Sequence, residues 1–209
     1  MKKLRVAVFG AGYWAHFQIA AWQAVGAEIV CIWNRTRARA QAAAEKFGIS
    51  HVCETPEEVF DLGGFDVADI ITDPAVHEPL TLLAAERGVP VICQKPMANS
   101  LESCERMVRA CKERGVWFAV HENFRFQPQF RLLKQVLESG EAGEIRSAKL
   151  QLRSPDRDIL AAQPALLQQK NMAYLDMGPH IFDVARYLFG EIGAISSRPV
   201  CNYTDLRAD

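Results

Sequence analysis

The sequence predicts an α/β protein that begins with a doubly wound parallel sheet and continues into an incomplete α+β domain with a mainly antiparallel sheet. Two observations predict the first part. Short β-branched runs alternate with helical stretches, and the apolar runs are continuous, as is typical of strands buried on both faces. A third observation predicts the second part, because this rhythm changes after Val120. We therefore divide the chain into residues 1–121 and 122–209.

In the first part, strands and helices are predicted in alternation. The strands are expected at Leu4–Phe9, Glu28–Trp33, Val67–Thr72, Pro90–Cys93 and Val116–Val120. The helices are expected at Tyr13–Val25, Thr36–Phe47, Val76–Arg87 and Ser100–Arg114, the last with Ser100 as its N-cap. This order requires right-handed connections between parallel strands.

The second part has fewer clear elements. Helices are predicted at Gln129–Ser139 and Ala173–Phe189, strands at Glu144–Arg153 and Ile192–Tyr203, and a loop at Ser154–Asn171. Because a sheet of two strands is marginal by itself, we expect this domain to be incomplete and the chain to be shortened at its C-terminus.

The composition excludes several classes of protein. The formal net charge is -1, so there is no basic surface to hold nucleic acid. No apolar run reaches the roughly 18–20 residues of a membrane span, and no signal-peptide pattern opens the chain, so a cytoplasmic location is expected. The six cysteines include no C-x-x-C pair and are expected to be free thiols, and no Cys/His spacing suggests a metal site.

A glycine loop joins the first predicted strand to the first predicted helix. Residues 10–15 read G-x-G-x-x-A, in which the first glycine permits a tight turn and the second lets the backbone approach a pyrophosphate. The helix start that follows offers free N–H groups to the phosphates. The cofactor-binding residues predicted here are Gly10, Ala11, Gly12, Tyr13 and Trp14. The alternative is a tight turn without a ligand.

The end of the second predicted strand bears on the choice between NAD and NADP. An acidic residue on the ribose is typical of NAD sites, but this chain has Asn34 and Arg35 there. A neutral Asn followed by Arg can accept a 2′-phosphate, which favours NADP slightly and leaves NAD open. The alternative is that Arg35 belongs to a solvated helix face.

Two further segments follow predicted strands, at the edge where open α/β sheets bind ligands. The first contains Thr72, Asp73 and His77, and the second contains Gln94 and Lys95. Because Lys95 precedes a proline, it is biased toward an extended backbone. Taken singly, a strand-end lysine is more often a solvated residue, and His77 is more often a packing or capping residue.

Together and in order, these motifs resemble the glucose–fructose oxidoreductase/inositol dehydrogenase family (Gfo/Idh/MocA). The glycine loop, a T-x-P-x-x-H-like segment from Thr72 and a V-x-C-x-K-P segment from Val91 carry the resemblance in the first part. The second part has an N-x-R-x-x-P segment from Asn123, a G-x-x-G-x-I segment from Gly140 and a D-x-G-x-H segment from Asp176 to His180. The resemblance runs from about residue 4 to about residue 200.

The resemblance implies an NAD(P)-dependent oxidoreductase that transfers hydride between the nicotinamide and a hydroxyl or carbonyl carbon of a sugar, cyclitol or related polyol. It implies that His180 is the general acid or base, that Asp176 holds the hydroxyl or orients the imidazole, and that Lys95 binds the reacting oxygen. The further cofactor contacts expected are Asn34, Arg35, Thr72, Asp73, His77, Gln94, Lys95 and Asn123. It also implies a homo-oligomer.

The chain departs from the family pattern in three places. Gln94 replaces the usual Glu before Lys-Pro, residues 170–173 replace a Gly-rich turn, and family members usually continue with further strands. Two other hypotheses about the function therefore stay open: a non-catalytic nucleotide-binding regulatory protein, or an inactive fragment of such an oxidoreductase.

Overall fold

The computed structural model describes residues 3–152 and 173–198. The chain divides into two units, Met1–His121 and Glu122–Asp209. No helix among the described residues is both long and apolar enough to cross a bilayer.

Unit 1 is a Rossmann-like fold built on a six-stranded sheet in the order β3-β2-β1-β4-β5-β6. Every neighbouring pair of strands is parallel. The strands are β1 (Arg5–Phe9), β2 (Glu28–Trp33), β3 (His51–Cys53), β4 (Val67–Ile70), β5 (Val91–Gln94) and β6 (Phe118–His121). The helices are α1 (Tyr13–Ala24), α2 (Arg37–Phe47), α3 (Pro56–Leu62), α4 (His77–Glu86) and α5 (Leu101–Glu113). The strand order reverses between β1 and β4, which is where this fold class binds its ligands.

Alternate residues of the central strands fill two apolar layers, one on each face of the sheet. Val6 and Val8 of β1 pack with Ile19 of α1 on one face. Phe9 of β1 and Ile70 of β4 pack with other residues on the opposite face. All five side chains are fully buried, and burial of a side chain of this size stabilises a fold by roughly 1.5–3 kcal/mol. The predicted parallel sheet is therefore confirmed.

The sequence prediction omitted β3 and α3. The strand has three residues at the edge of the sheet, too few to show a hydrophobic period. The helix has seven residues and is marked mainly by its start, where the Thr55 hydroxyl accepts a hydrogen bond from the Glu58 N–H and Pro56 occupies the first turn. Such a short helix has little amphipathic signal.

Unit 2 contains α6 (Pro128–Ser139) and α7 (Gly178–Phe189), which contact each other. A 3₁₀ turn at Phe124–Phe126 precedes α6, and Gly140 ends that helix with a φ of 79°. A π-helical turn at Ala173–Met177 precedes α7.

Three predictions for unit 2 are corrected by the structure. Residues 144–152 and 190–198 form no strand, so the described residues contain no antiparallel sheet. Alternating hydrophobicity favours a strand only where a neighbour satisfies the backbone groups, and within residues 3–152 and 173–198 neither segment pairs with another. The last predicted helix begins at Gly178 instead of Ala173, because Pro179 is favoured in a first turn. The predicted loop at 154–171, residue 153 and residues 199–203 lie outside the described residues.

Candidate active site

The glycine loop lies directly between the ends of three strands. The Gly10 N–H donates to the Trp33 carbonyl at 2.7 Å, and the Ile71 N–H donates to the Phe9 carbonyl at 2.7 Å. Gly10 has a φ of +121°, and a Cβ on it would lie 2.6 Å from the Ile71 carbonyl oxygen. The close approach of the backbone therefore requires glycine at this position.

The second glycine leaves open space beside the start of α1. Gly12 is the N-cap, it has no side-chain hydrogen bond, and the first turn contains no acidic residue. A Cβ on Gly12 would meet no atom within 4 Å. The first-turn amides therefore lack an anionic side-chain partner and suit an anionic ligand such as a pyrophosphate. The two predicted aromatic residues, Tyr13 and Trp14, contact each other edge to face at 5.2 Å between ring centroids.

Asn34 fastens the glycine loop to the end of β2. Its Oδ1 accepts a hydrogen bond from the Ala11 N–H at 3.0 Å, and its Nδ2 donates to the Thr36 carbonyl at 2.9 Å. The Ala11 amide is thus engaged within the protein. Arg35 is exposed beside Asn34, and Arg37 forms an ion pair with Glu54. No carboxylate occupies position 34, so this strand end carries no negative charge at that position.

Thr72 and Asp73 follow β4 at the same edge of the sheet. Asp73 Oδ1 accepts from the Ala75 N–H at 2.9 Å, so its carboxylate caps the short 3₁₀ turn at Pro74–Val76. Thr72 Oγ1 is buried and has no hydrogen-bond partner among the described residues. A buried hydroxyl of this kind can take a polar ligand atom as its partner.

His77 is buried between the segments that follow β4 and β5. Its Nε2 lies 3.0 Å from the Thr72 carbonyl, and its Nδ1 lies 3.1 Å from the Pro96 carbonyl and 3.2 Å from the Met97 carbonyl. Burial lowers the pKa of the imidazole, against the opposing effect of these carbonyl groups. Both ring nitrogens face backbone carbonyls and the side chain is 0% exposed, so the side chain packs between the two connecting segments.

Gln94 is the last residue of β5, and Lys95 follows it directly. Gln94 Oε1 accepts from the Lys95 N–H at 2.8 Å, and Gln94 Nε2 donates to Gln18 Oε1 at 3.1 Å. Lys95 is half-buried at the carboxyl edge of the sheet. The glycine loop, Thr72 and Lys95 therefore all follow strands of one parallel sheet, as predicted for a ligand site at that edge.

The second unit holds His180 in a defined orientation. His180 Nδ1 lies 2.6 Å from Glu122 Oε1, and the Phe124 ring stacks on the imidazole with 3.9 Å between centroids and 9° between planes. His180 is 7% exposed. Asp176 lies in the π-helical turn and His180 in the first turn of α7, so the single helix face predicted for the pair is interrupted between them.

A second ion pair supports the same region. Arg125 Nε donates to Asp183 Oδ2 at 2.7 Å, and its Nη2 also donates to Asp183, which raises the pKa of the guanidinium. The Arg125 guanidinium lies 5.5 Å from the centroid of the Tyr187 ring. Asn123 is exposed, and its carbonyl accepts from the Phe126 N–H at 3.1 Å. Sequence reasoning missed the roles of Glu122 and Phe124, although both flank the predicted Asn123.

A glycine loop at the switch point of a six-stranded parallel sheet defines a dinucleotide-binding class of protein. Comparison with models of known protein families agrees with this class. A family model described as the oxidoreductase family with an NAD-binding Rossmann fold matches residues 4–122, and the GFO/IDH/MocA C-terminal domain matches residues 130–201. The chain belongs to the Gfo/Idh/MocA oxidoreductase family, which confirms the predicted membership.

Named relatives include sugar and cyclitol dehydrogenases. The chain is 37% identical to a D-apiose dehydrogenase from Rhizobium rhizogenes over 95% of this chain and 57% of that protein. It is 30% identical to scyllo-inositol 2-dehydrogenase (NAD(+)) from Bacillus subtilis over 93% of this chain and 56% of that protein. The chain thus spans just over half the length of these relatives.

A solved structure gives the same picture of the fold. An oxidoreductase from Agrobacterium radiobacter, in complex with NAD+, L-tartaric acid and magnesium, has a TM-score of 0.88 and 33% identity. The similarity covers 99% of this chain and 60% of that one.

Proposed function

We propose that this chain binds a nicotinamide dinucleotide in unit 1 and takes part in hydride transfer between the nicotinamide and a CH–OH carbon of a sugar, cyclitol or related polyol. The observation that carries the proposal is the glycine loop: Gly10 fits only without a Cβ, and Gly12 leaves the first-turn amides of α1 open. The names of the relatives, apiose and inositol dehydrogenases, support the class of substrate.

The cofactor, when bound, supplies the hydride acceptor or donor. The residues that would hold it are Gly12 and Tyr13, through main-chain amides, and Thr72, through its buried hydroxyl. Arg35 would meet the ribose end, where neutral Asn34 neither repels a 2′-phosphate nor offers a carboxylate to a 2′-hydroxyl. We propose that both NAD and NADP bind, with NADP contacting Arg35.

In unit 2 the proposed proton acceptor is Nε2 of His180. Glu122 engages Nδ1, which fixes the tautomer with hydrogen on Nδ1 and leaves the Nε2 lone pair for a substrate hydroxyl. The carboxylate would also stabilise the imidazolium formed when the proton arrives. Asp176 would hold the hydroxyl group, and Lys95 would stabilise negative charge on the reacting oxygen.

The test is made in two stages on the 209-residue chain. The protein is first titrated with NADH and with NADPH while nicotinamide fluorescence is followed. Failure of both nucleotides to bind overturns the proposal. Absorbance at 340 nm is then followed with sugars and cyclitols, for the natural chain and for Lys95→Met and His180→Asn. The expected result is turnover that both substitutions abolish while binding is retained. Binding without turnover on any polyol would instead favour a nucleotide-binding regulatory protein.

A further inference from the structure

We propose that Asp69 is a positioning residue for Lys95. It acts through a series of hydrogen bonds by way of Gln18 and Gln94, in which every bond donates in the fixed direction that the structure shows. The inference rests on the proposed role of Lys95 at the reacting oxygen. It gives a task to a buried carboxyl group that the proposed mechanism does not use.

Asp69 lies at the centre of the sheet with no exposed surface. Its Oδ1 accepts a hydrogen bond from Gln18 Nε2 at 2.6 Å, and its Oδ2 accepts from the Trp22 indole N–H at 2.6 Å. Both donors come from α1, while Asp69 is on β4. A buried carboxyl group with two short donor contacts is therefore fixed in place by the first helix.

The chain continues from Gln18 to the strand that carries Lys95. Gln18 Oε1 accepts from Gln94 Nε2 at 3.1 Å, and Gln94 Oε1 accepts from the Lys95 N–H at 2.8 Å. Four hydrogen bonds thus link α1, β4 and β5, and they end at the backbone of Lys95.

The two ends of the chain determine its direction. The Trp22 indole N–H and the Lys95 main-chain N–H can only donate. Gln94 must therefore turn its oxygen to Lys95 and its NH₂ to Gln18, and Gln18 must turn its oxygen to Gln94 and its NH₂ to Asp69. Asp69 then has to accept on both oxygens, which is the hydrogen-bonding capacity of a carboxylate.

This requirement accounts for the neutral Gln94 in place of the family's usual Glu. A carboxylate at position 94 can accept from the Lys95 N–H, but it cannot donate to Gln18. An amide does both, so it carries the chain onward. The departure noted in the sequence is thus part of the network and keeps the single ionisable group of the chain at its inner end.

Protonation of Asp69 is incompatible with this direction of the hydrogen bonds. The new O–H needs an acceptor, and Trp22 cannot serve, so the Gln18 amide would have to turn its oxygen toward Asp69. Gln94 would then have to turn as well, and its NH₂ would face the Lys95 N–H. Ionisation of Asp69 is therefore coupled to the hydrogen bond that holds the Lys95 backbone.

The coupling operates near neutral pH. Burial raises the pKa of Asp69 to about 7, and the hydrogen bonds from Trp22 and Gln18 oppose that rise. Its neighbours on the flanking strands are Val8 on β1 and Ile92 on β5. The nearby titratable group on β5 is Cys93, whose thiol pKa is raised by burial and by the Asp69 charge. A neutral thiol leaves the ionisation of Asp69 as the local charge change.

The experiment is an NMR titration from about pH 5 to pH 9 that follows the Asp69 carboxyl carbon and the Lys95 amide. In the natural chain we expect both signals to change with one midpoint. Trp22→Phe removes a donor from Asp69 and leaves the hydrogen bonds from Asp69 through Gln18 and Gln94 to Lys95 in place. Both midpoints should therefore move together to higher pH. Gln18→Leu cuts the chain, so Asp69 should still titrate while Lys95 loses its response.

A flat Lys95 signal in the natural chain, or an unchanged response in Gln18→Leu, would overturn the inference. If Gln18→Leu gives no dispersed spectrum, Gln18→Met cuts the same link with a side chain of similar length. The titration needs neither cofactor nor turnover, so its outcome is separate from that of the proposed function. If a polyol substrate is found, the pH profile of kcat should shift with Trp22→Phe as the two NMR midpoints do.

Discussion

Glu122 lies 2.6 Å from Nδ1 of His180, so the imidazole is held by a carboxylate on one side of its ring while Phe124 covers one face. Because Glu122 engages Nδ1, the second ring nitrogen, Nε2, is the one proposed to accept a proton from the substrate hydroxyl. The same contact makes Glu122, which no sequence motif had marked, the residue on which the orientation of His180 depends.

Glu122→Gln is expected to lower kcat on the order of 100-fold. A positioned general base raises the rate about 10²–10⁴-fold, and the neutral amide stabilises the imidazolium less well than the carboxylate does. NADH affinity should stay unchanged. The measurements are steady-state kinetics at 340 nm and fluorescence titration. Glu191→Gln is the matched control, since Glu191 is exposed and pairs with Arg186 in the same unit. Equal losses in both variants would contradict the role of Glu122.

The two loop glycines should respond differently to alanine. Gly10→Ala forces a Cβ against the Ile71 carbonyl at a positive φ, and it should lower the free energy of unfolding by roughly 2–4 kcal/mol. Gly12→Ala meets open space, so stability should change by less than about 1 kcal/mol while NADH affinity falls at least about tenfold. Urea denaturation and NADH fluorescence measure the two effects. Undiminished NADH binding in Gly12→Ala would contradict a pyrophosphate at this turn.

Stability should depend on pH through Asp69. Its pKa is about 7 in the folded chain against an ordinary value of 3.8, so the folded state binds more protons between these values. The free energy of unfolding should therefore decrease as pH rises from about 4 to about 7, by about 4 kcal/mol, and level off above.

Urea denaturation at pH 5 and pH 8 checks this dependence. Asp69→Asn should lose it, whereas Asp61→Asn, a change at an exposed carboxylate, should retain it. Parallel stability curves for the natural chain and Asp69→Asn would show that the buried carboxyl group does not control the slope.

Arg35→Ala is expected to weaken NADPH binding by about tenfold, or about 1.4 kcal/mol, and to leave NADH binding within about a factor of two. The reason is that the 2′-phosphate would lose a charge-assisted hydrogen bond. Fluorescence titrations with both nucleotides measure the difference. Arg39→Ala, also exposed, is the control. An equal effect of Arg35→Ala on both nucleotides would place this side chain away from the 2′-position.

The sequence predicted the parts of unit 1 that depend on local patterns. The path from β1 through the glycine loop to α1 follows from a motif whose every position has a steric reason, and the alternation of apolar strands and helices predicts the parallel sheet. By contrast, β3 has three residues and shows no period. In unit 2, alternation suggested strands that the described residues do not form, because a strand depends on a partner as well as on its own pattern.

The sequence marks residues of the candidate site where they lie on a motif, and it gives no signal for residues that only the fold brings together. Asp69 in a strand and Gln18 in a helix carry no pattern, and the sheet order alone brings them to Gln94. Asn34 and His77 were predicted as ligand contacts, and in the structure their polar atoms also contact backbone groups. Distinguishing these two uses requires the partner atoms, which spacing along the chain does not give.

The buried imidazole of His77 has one more consequence. Its ring lies 3.0–3.2 Å from the carbonyls of Thr72, Pro96 and Met97, so one N–H hydrogen bond and close packing hold two connecting segments before any ligand arrives. Loops that are already ordered lose little conformational entropy on association, so more of the contact energy appears as affinity. This edge of the sheet is preorganised, and a nucleotide that docks there should meet it as a rigid template.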